Sequence, residues 1–431
     1  MQIEIEKIVS GGLGLGFANG GKPIFVAKSV PGDKLEINII EEKKHYAFGA
    51  ISKILSPSKL RIKPACPYFD FCGGCDHQNI SYPNQLKIKE AVFLEVLTRA
   101  GINVKPHLII AGSNQPLFYR NSIRFFFLYN DDKITFARKH FYKSDKLIAI
   151  DSCLLQSETA NLILATLKNY INAKVADKSP FWQLKIRQGK STAEFMVEII
   201  TTFDHLPDKE GIVEVLKNIK GIKSIYHTVA PAKSLKNLQR HLIFGSPIIR
   251  EKIGRYTFQI SPQSFFQTNS LGVKILYDII KNYADIKIGQ RVLDLYCGTG
   301  TIGLYLSSLA KEIVGVESLR EAVNDANDNA RLNKVLNVQF VQADVDKFLN
   351  SSIGKFDVII TDPPRAGLTK QIIQKIAQLK AKKIIYVSCN PPTFARDIKI
   401  FEQHGWRLSR LQPIDMFPQT HHLEIVSELV R

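Results

Sequence analysis

Cys389 stands where the short apolar run KKIIYV gives way to a Pro-Pro turn, in the stretch SCNPPTFARD. The run reads as a strand and the segment after it as the start of a helix. The thiol is therefore set at a strand mouth, where α/β folds keep their chemistry. A cysteine there is a candidate nucleophile, because thiolate is strongly reactive even when only a few per cent is ionised. The alternative is a small buried structural thiol.

A second chemical stretch is DLYCGTGTIG, with a G-x-G-x-x-G pattern through Gly298, Gly300 and Gly303 directly after a strand. Such glycines let backbone approach a nucleotide closely at a helix N-terminus. Alone, the pattern also fits a plain strand-to-helix turn. Acids add information. Glu317 closes the next strand in VGVE, where it can hold two ribose hydroxyls, and Asp344 ends VQFVQAD, where an adenine edge can be read. Asp294 precedes the glycines, and a DPP motif opened by Asp362 ends a fourth strand. A dinucleotide site does not call for these last two. S-adenosylmethionine does, because its sulfonium and amino groups are cationic and suit carboxylates better than a pyrophosphate loop.

A third group is CPYFDFCGGC, which spaces Cys66, Cys72 and Cys75 as C-x5-C-x2-C, with Cys153 the one further cysteine before the glycine loop. Four thiolates suit tetrahedral zinc or a [4Fe–4S] cluster equally in number. Zinc ribbons usually carry two C-x2-C pairs, and the second pair is missing. Cys297, inside the glycine loop, is read as structural. His421 and His422 are assigned to packing or hydrogen bonding.

The elements that must position these groups fall into three regions. Residues 1–57 carry short strand patterns divided by SGGLGLGFANGG and VPGD, which suits a small OB-like barrel. Residues 58–265 hold a linker, the cysteines, a helix at about 82–101 able to pack on the catalytic domain, and mostly strand-like patterns. Residues 266–431 alternate apolar strands with helical segments, the signature of a doubly wound Rossmann-like sheet.

The chain has 431 residues and 58 Lys plus Arg against 40 Asp plus Glu, a net charge of +18. That excess points to a polyanionic partner. FYRNSIRFFFLYN and FARKHFYKSDK interleave Arg120, Arg124 and Arg138 with aromatics, as single-stranded RNA binding demands. Half-buried strands with basic outer faces are the plainer reading. MQIEIEKIVS lacks a signal-peptide apolar core, and no stretch has the roughly 20 apolar residues of a membrane span. A cytoplasmic protein without a membrane partner is expected, with reduced cysteines serving metal or catalysis rather than disulfides.

Taken together, SPQSFFQTNS, DLYCGTGTIG, DPPRAG, SCNPPTFARD and FPQTHHLEIV resemble, in order, the motifs of the RNA uridine-5-methyltransferase family. The N-terminal barrel resembles the TRAM domain of part of that family, and the cysteine group resembles the iron–sulfur motif of its ribosomal-RNA branch. The resemblance implies S-adenosylmethionine-dependent C5 methylation of a specific uridine in 23S rRNA. It implies Cys389 as the nucleophile at C6 and Glu424 as the base that removes the C5 proton. Cofactor contacts are implied for Gln267, Tyr296, Thr301, Glu317, Asp344 and Asp362, with Asp362 also bordering the target base. Thr301 and Asp344 stand where some members carry asparagine. A [4Fe–4S] cluster on Cys66, Cys72, Cys75 and Cys153 is implied, in a monomer. Three other functions compete: the same reaction on the T-loop uridine of tRNA, cytosine-5 methylation, and a non-catalytic RNA-binding assembly factor. Cytosine chemistry usually needs a cysteine beside the proline of the fourth-strand motif, where Asp362-Pro363-Pro364-Arg365 has none. An assembly factor is expected to lack the nucleophile or the cofactor carboxylates, and both are present.

Overall fold

The computed structural model describes residues 1–18, 20–104, 110–143, 145–235, 238–351 and 354–431, and all but the side chain of Ala232 within them. Asn19 of the glycine-rich N-terminal stretch, and residues 105–109 where the central strands were expected to begin, lie outside the described residues.

The N-terminal region is a six-stranded sheet. Its strands lie in the order Gln2–Glu4, Lys34–Glu42, Ala47–Ser56, Pro23–Val26, Gly14–Phe17 and Lys7–Ile8. Alternation in QIEIE buries Ile3 and Ile5 with Ile24, Val26, Leu35 and Ile37, leaving the glutamates in solvent. Gly16 is required by a close approach: a Cβ there would lie 2.5 Å from the Glu4 carbonyl oxygen.

The central region is a seven-stranded sheet in the order Gln239–Gly245, Ile222–Val229, Glu194–Thr201, Phe181–Gly189, Ser122–Asn130, Lys133–Lys139, Leu147–Ile150. It also carries two helices, Glu158–Lys174 and Lys209–Lys217, in a region read from sequence as mostly strand. Their apolar residues recur at helical spacing: Ile163, Leu164, Leu167 and Ile171 in one, Ile212 and Leu216 in the other. All six are buried in the core of this sheet.

The C-terminal sheet runs Val338–Gln342, Glu312–Glu317, Arg291–Leu295, Val358–Thr361, Lys383–Ser388, Glu424–Val430, Arg407–Ile414. The first five strands are parallel. The chain winds outward from Arg291–Leu295 in one direction and then restarts beside it at Val358–Thr361. That reversal opens a crevice at the strand ends, and both the glycine loop and the DPP motif empty into it. The last two strands are antiparallel, with Glu424–Val430 inserted beside Lys383–Ser388. Ser388 pairs with Ile425, so one further step of the register sets Cys389 opposite Glu424. The helix Tyr82–Arg99 packs here: Phe93 and Leu97 share a core with Tyr386 and Phe394, and the Phe93 and Phe394 rings lie 6.1 Å apart. The hairpin Ile249–Ile253/Tyr256–Ile260 is also buried in the C-terminal core.

Candidate functional site

The glycine loop turns sharply because three of its residues are left-handed: Tyr296 (φ 60°), Gly298 (φ 53°) and Gly300 (φ 75°). Gly300 has no room for a side chain, since its Cβ would meet the Phe340 ring at 2.4 Å. Asp294 lies fully buried beneath the loop. Its Oδ2 accepts from the Gly303 N–H at 3.1 Å, while Oδ1 is buried without a partner. Burial, and then the nearby Asp362 carboxylate, push its pKa up to about 8. Glu317 accepts from the Gly298 N–H at 3.2 Å and the Leu319 N–H at 2.8 Å. Thr301 Oγ1 is 2.6 Å from the Tyr277 hydroxyl.

Tyr277, Gly298, Thr301 and Glu317 line one cleft of about 1250 Å³, together with Gln267, Tyr296, Asp362, Cys389 and Glu424, while Asp294 lies buried behind that wall. Asp344, expected on the cofactor, is not on the wall. It is exposed and caps the helix Val345–Leu349, accepting from the N–H groups of Asp346 (2.9 Å) and Lys347 (3.2 Å). Its charge still reaches the cleft: burial first, then Asp344, raise the Tyr296 phenol to about 12.

At the far end of the crevice Cys389 is half-buried and Glu424 is buried. Burial, Glu424 and Asp362 push the Cys389 thiol up to about 11, against the opposing pull of Arg365. Burial also holds the Glu424 and Asp362 carboxyls above the usual carboxylate range, and the Asp362 charge raises Glu424 further. Arg365 is the cation of this group. Its guanidinium lies 3.1 Å from His422 Nε2, and its carbonyl accepts from Asn390 Nδ2 at 3.1 Å. Sequence reasoning places Arg365 within DPPRAG and gives it no role; a lone cation beside two acids and a cysteine is the available signal.

The histidines are structural partners. His421 Nδ1 is 2.8 Å from Asp76 Oδ2, and its backbone N–H donates to the same oxygen at 3.0 Å. The N–H groups of Asp76 and His77 donate to the Gln419 carbonyl, at 2.8 and 3.1 Å. The segment leading to Glu424 is thus tied to the loop that follows Cys75. Burial, then His421 and Arg365, lower His422 to about 3, so its ring is neutral.

Cys66, Cys72, Cys75 and Cys153 all line a small separate cavity, of about 30 Å³. Burial raises the Cys75 thiol to about 12 and moves Cys66 and Cys153 upward too. Lys28 reaches in from the N-terminal sheet, donating to the carbonyls of Cys75 and Cys72 and lying 4.2 Å from the Phe69 ring centre. Among the described residues, no three His, Cys, Asp or Glu side chains stand in a metal-holding arrangement. Cys297 is buried apart from this group, in the glycine loop.

Arg120 and Arg138 line the large cleft, and so does Arg240, which the sequence reading missed. Arg240 donates to Glu198 Oε1 at 3.0 Å. Arg124 is not on the wall; its Nε is buried without a partner. Phe265 projects into the same cleft with 66% of its surface exposed.

A glycine loop over a buried aspartate, at the reversal point of a sheet ending in an antiparallel pair, is a methyltransferase fold. Residues 81–431 match the family tRNA (Uracil-5-)-methyltransferase. The chain belongs to that family. An uncharacterized RNA methyltransferase of Fusobacterium nucleatum is 38% identical over 450 residues, spanning 100% of this chain and 96% of the relative. Another, from Halalkalibacterium halodurans, is 33% identical over 446 residues with the same shares. Among solved structures, the Pyrococcus abyssi tRNA (uracil-54, C5)-methyltransferase in complex with S-adenosyl-L-homocysteine is similar over 99% of both chains. Its TM-score is 0.80 and its identity 30%.

Proposed function

We propose that the protein methylates C5 of a uridine in 23S rRNA, using S-adenosylmethionine and a transient bond between Cys389 and C6 of the ring. The observation that carries this reading is the placement of Cys389 opposite Glu424 on the wall of the cleft that also holds the glycine loop.

The cofactor fits its assigned residues. Asp362 and Glu317 put carboxyl groups on the cleft wall where the cofactor's amino group, sulfonium and ribose need them, and the unpartnered Asp294 Oδ1 lies buried behind the glycine loop. Gln267, Tyr296 and Thr301 complete that wall, and Asp344 acts through Tyr296 rather than by contact. When bound, the cofactor supplies an electrophilic methyl group.

C5 of uracil is a poor nucleophile. Addition of the Cys389 thiolate at C6 turns the ring into an enolate, and C5 then takes the methyl. Arg365 is the group that favours the thiolate and can face the enolate oxygen. Glu424 then removes the C5 proton, the C6–S bond breaks, and the thiolate is restored. A placed base of this kind contributes typically about 10²–10⁴ in rate. The target base must leave its stack to reach Cys389, costing a few kcal/mol, so an exposed loop is the fitting substrate.

The four cysteines converge on one cavity, and thiolate sulfur is the donor set of iron–sulfur clusters. We assign them a [4Fe–4S] cluster of structural role, with Lys28 offsetting its negative charge, and read the N-terminal sheet as a TRAM-type RNA-binding unit in a cytoplasmic monomer. The likeness to the Pyrococcus abyssi enzyme spans the N-terminal sheet and cysteine region, and favours a second reading, the T-loop uridine of tRNA. Deleting the gene and mapping 5-methyluridine tests both. Loss from a 23S rRNA site supports the first, loss from tRNA the second, and unchanged 5-methyluridine in both RNAs contradicts each.

A further inference from the structure

A second cavity, of about 240 Å³, opens on the other side of Cys389. It is more than ten times the roughly 10–15 Å³ of such space that one water needs. The main cleft and this cavity share Arg365, Cys389, His421 and His422. The two cavities therefore adjoin at Cys389, within reach of neighbouring nucleotides of one strand.

The walls combine aromatic rings with aliphatic side chains. They include the His421 and His422 rings, whose centres lie 4.1 Å apart at 56° to each other, and Ile88, Val92 and Phe93 of the helix Tyr82–Arg99. A flat base stacks between such surfaces regardless of its identity. His77 adds a polar demand. It is 2% exposed, and neither ring nitrogen has a hydrogen-bond partner of good geometry, although the Gly12 backbone lies near. A buried imidazole without partners is costly, and a base edge, with both donors and acceptors, satisfies it.

The roof is the turn Val9–Gly11 of the N-terminal sheet. It is held down in two places. Gly12 (φ 79°) packs so closely on His421 that a Cβ would lie 2.7 Å from the histidine's own Cβ, and Lys7 pairs with Glu95 of the helix at 2.8 Å. The pocket thus exists only with the N-terminal sheet docked.

We propose that this cavity binds the base of the nucleotide adjacent to the target uridine, so that the N-terminal sheet helps to hold a base of the substrate. The proposal rests on the uridine-methyltransferase reading, and its test separates the two. The probes are hairpins copied from the RNA that loses 5-methyluridine on gene deletion. They carry 5-fluorouridine at the target and an abasic ribose at one position on either side in turn, and wild-type protein with S-adenosylmethionine is assayed for covalent capture. One adjacent abasic position should weaken capture roughly 5- to 150-fold, the worth of one stacked base. Val92→Trp, which fills the cavity, should erase that difference while leaving S-adenosylhomocysteine affinity unchanged; if it unfolds the chain, Ile88→Phe repeats the test. Equal capture of every abasic RNA, or a difference that survives the filled cavity, overturns the pocket and leaves the methylation reading standing. Absence of capture with the fully based RNA overturns both.

Discussion

Glu424 stands across from Cys389 at the end of an antiparallel strand pair, one step past the Ser388–Ile425 pairing. The proposed nucleophile therefore directly follows one strand of this pair, and the proposed base begins the other. Burial and then Glu424 disfavour the Cys389 thiolate, burial and then Asp362 disfavour the Glu424 carboxylate, and Arg365 opposes both.

That balance predicts the chemistry of the free thiol. Alkylation of Cys389 by iodoacetamide should rise about tenfold per pH unit from pH 7 to 10, because only thiolate reacts and the thiol is pushed up to about 11. Glu424→Gln removes a charge that opposes the thiolate and should move the midpoint down. Arg365→Gln removes the charge that favours it and should move the midpoint up. A wild-type midpoint near 7, mapped by mass spectrometry of the alkylated peptide, contradicts this electrostatic picture.

RNA binding should divide from cofactor binding. Replacing Arg120, Arg138 and Arg240 by alanine, all on the cleft wall, should weaken RNA binding and flatten its salt dependence, by about one unit of slope for each phosphate no longer neutralised. S-adenosylhomocysteine affinity, followed by calorimetry, should stay within a factor of two or so. Arg124→Ala, off the wall, should leave the salt slope unchanged.

How far these groups are legible in the sequence follows from how local each signal is. The glycine loop, Asp294, Glu317 and Asp362 are read directly, because each sits at the end of its own strand. Arg240 and the Asp76–His421 contact are not, because strands and loops far apart in the chain bring them to the site. Asp344 falls where an adenine edge is usually read, but its carboxylate is occupied by two backbone N–H groups of the following helix. The two central helices escape a sequence reading, although ETANLILATLKNYINAK has clear helical spacing, because the strands around it dominate the pattern.

Lys89 should matter for stability. Its ammonium, 2% exposed, donates to Asp415 at 2.7 Å and to the carbonyls of Phe417 and His422, clamping the segment before Glu424 to the helix Tyr82–Arg99. Lys89→Met leaves a buried carboxylate uncompensated and should cost about 3–5 kcal/mol in urea unfolding. Lys7→Met breaks a more exposed pair with Glu95 and should cost no more than about 1 kcal/mol.

The cysteine cavity predicts metal content. Protein purified without oxygen should hold about four iron atoms per chain. Serine at Cys66, Cys72, Cys75 or Cys153 should lower the iron, and serine at Cys297 should not. Stoichiometric zinc in colourless, active protein contradicts the cluster.

The central claim is tested most directly on a denaturing gel with labelled target RNA, run for wild type, Cys389→Ala and Glu424→Gln. Wild type should be trapped by 5-fluorouridine RNA, because fluorine cannot leave as a proton does. Glu424→Gln should methylate ordinary uridine RNA and stay attached to it, with turnover lower by roughly 10²–10⁴. Cys389→Ala should bind cofactor yet form neither adduct nor product. An adduct or full turnover with Cys389→Ala would contradict the account and reduce that cysteine to a buried thiol.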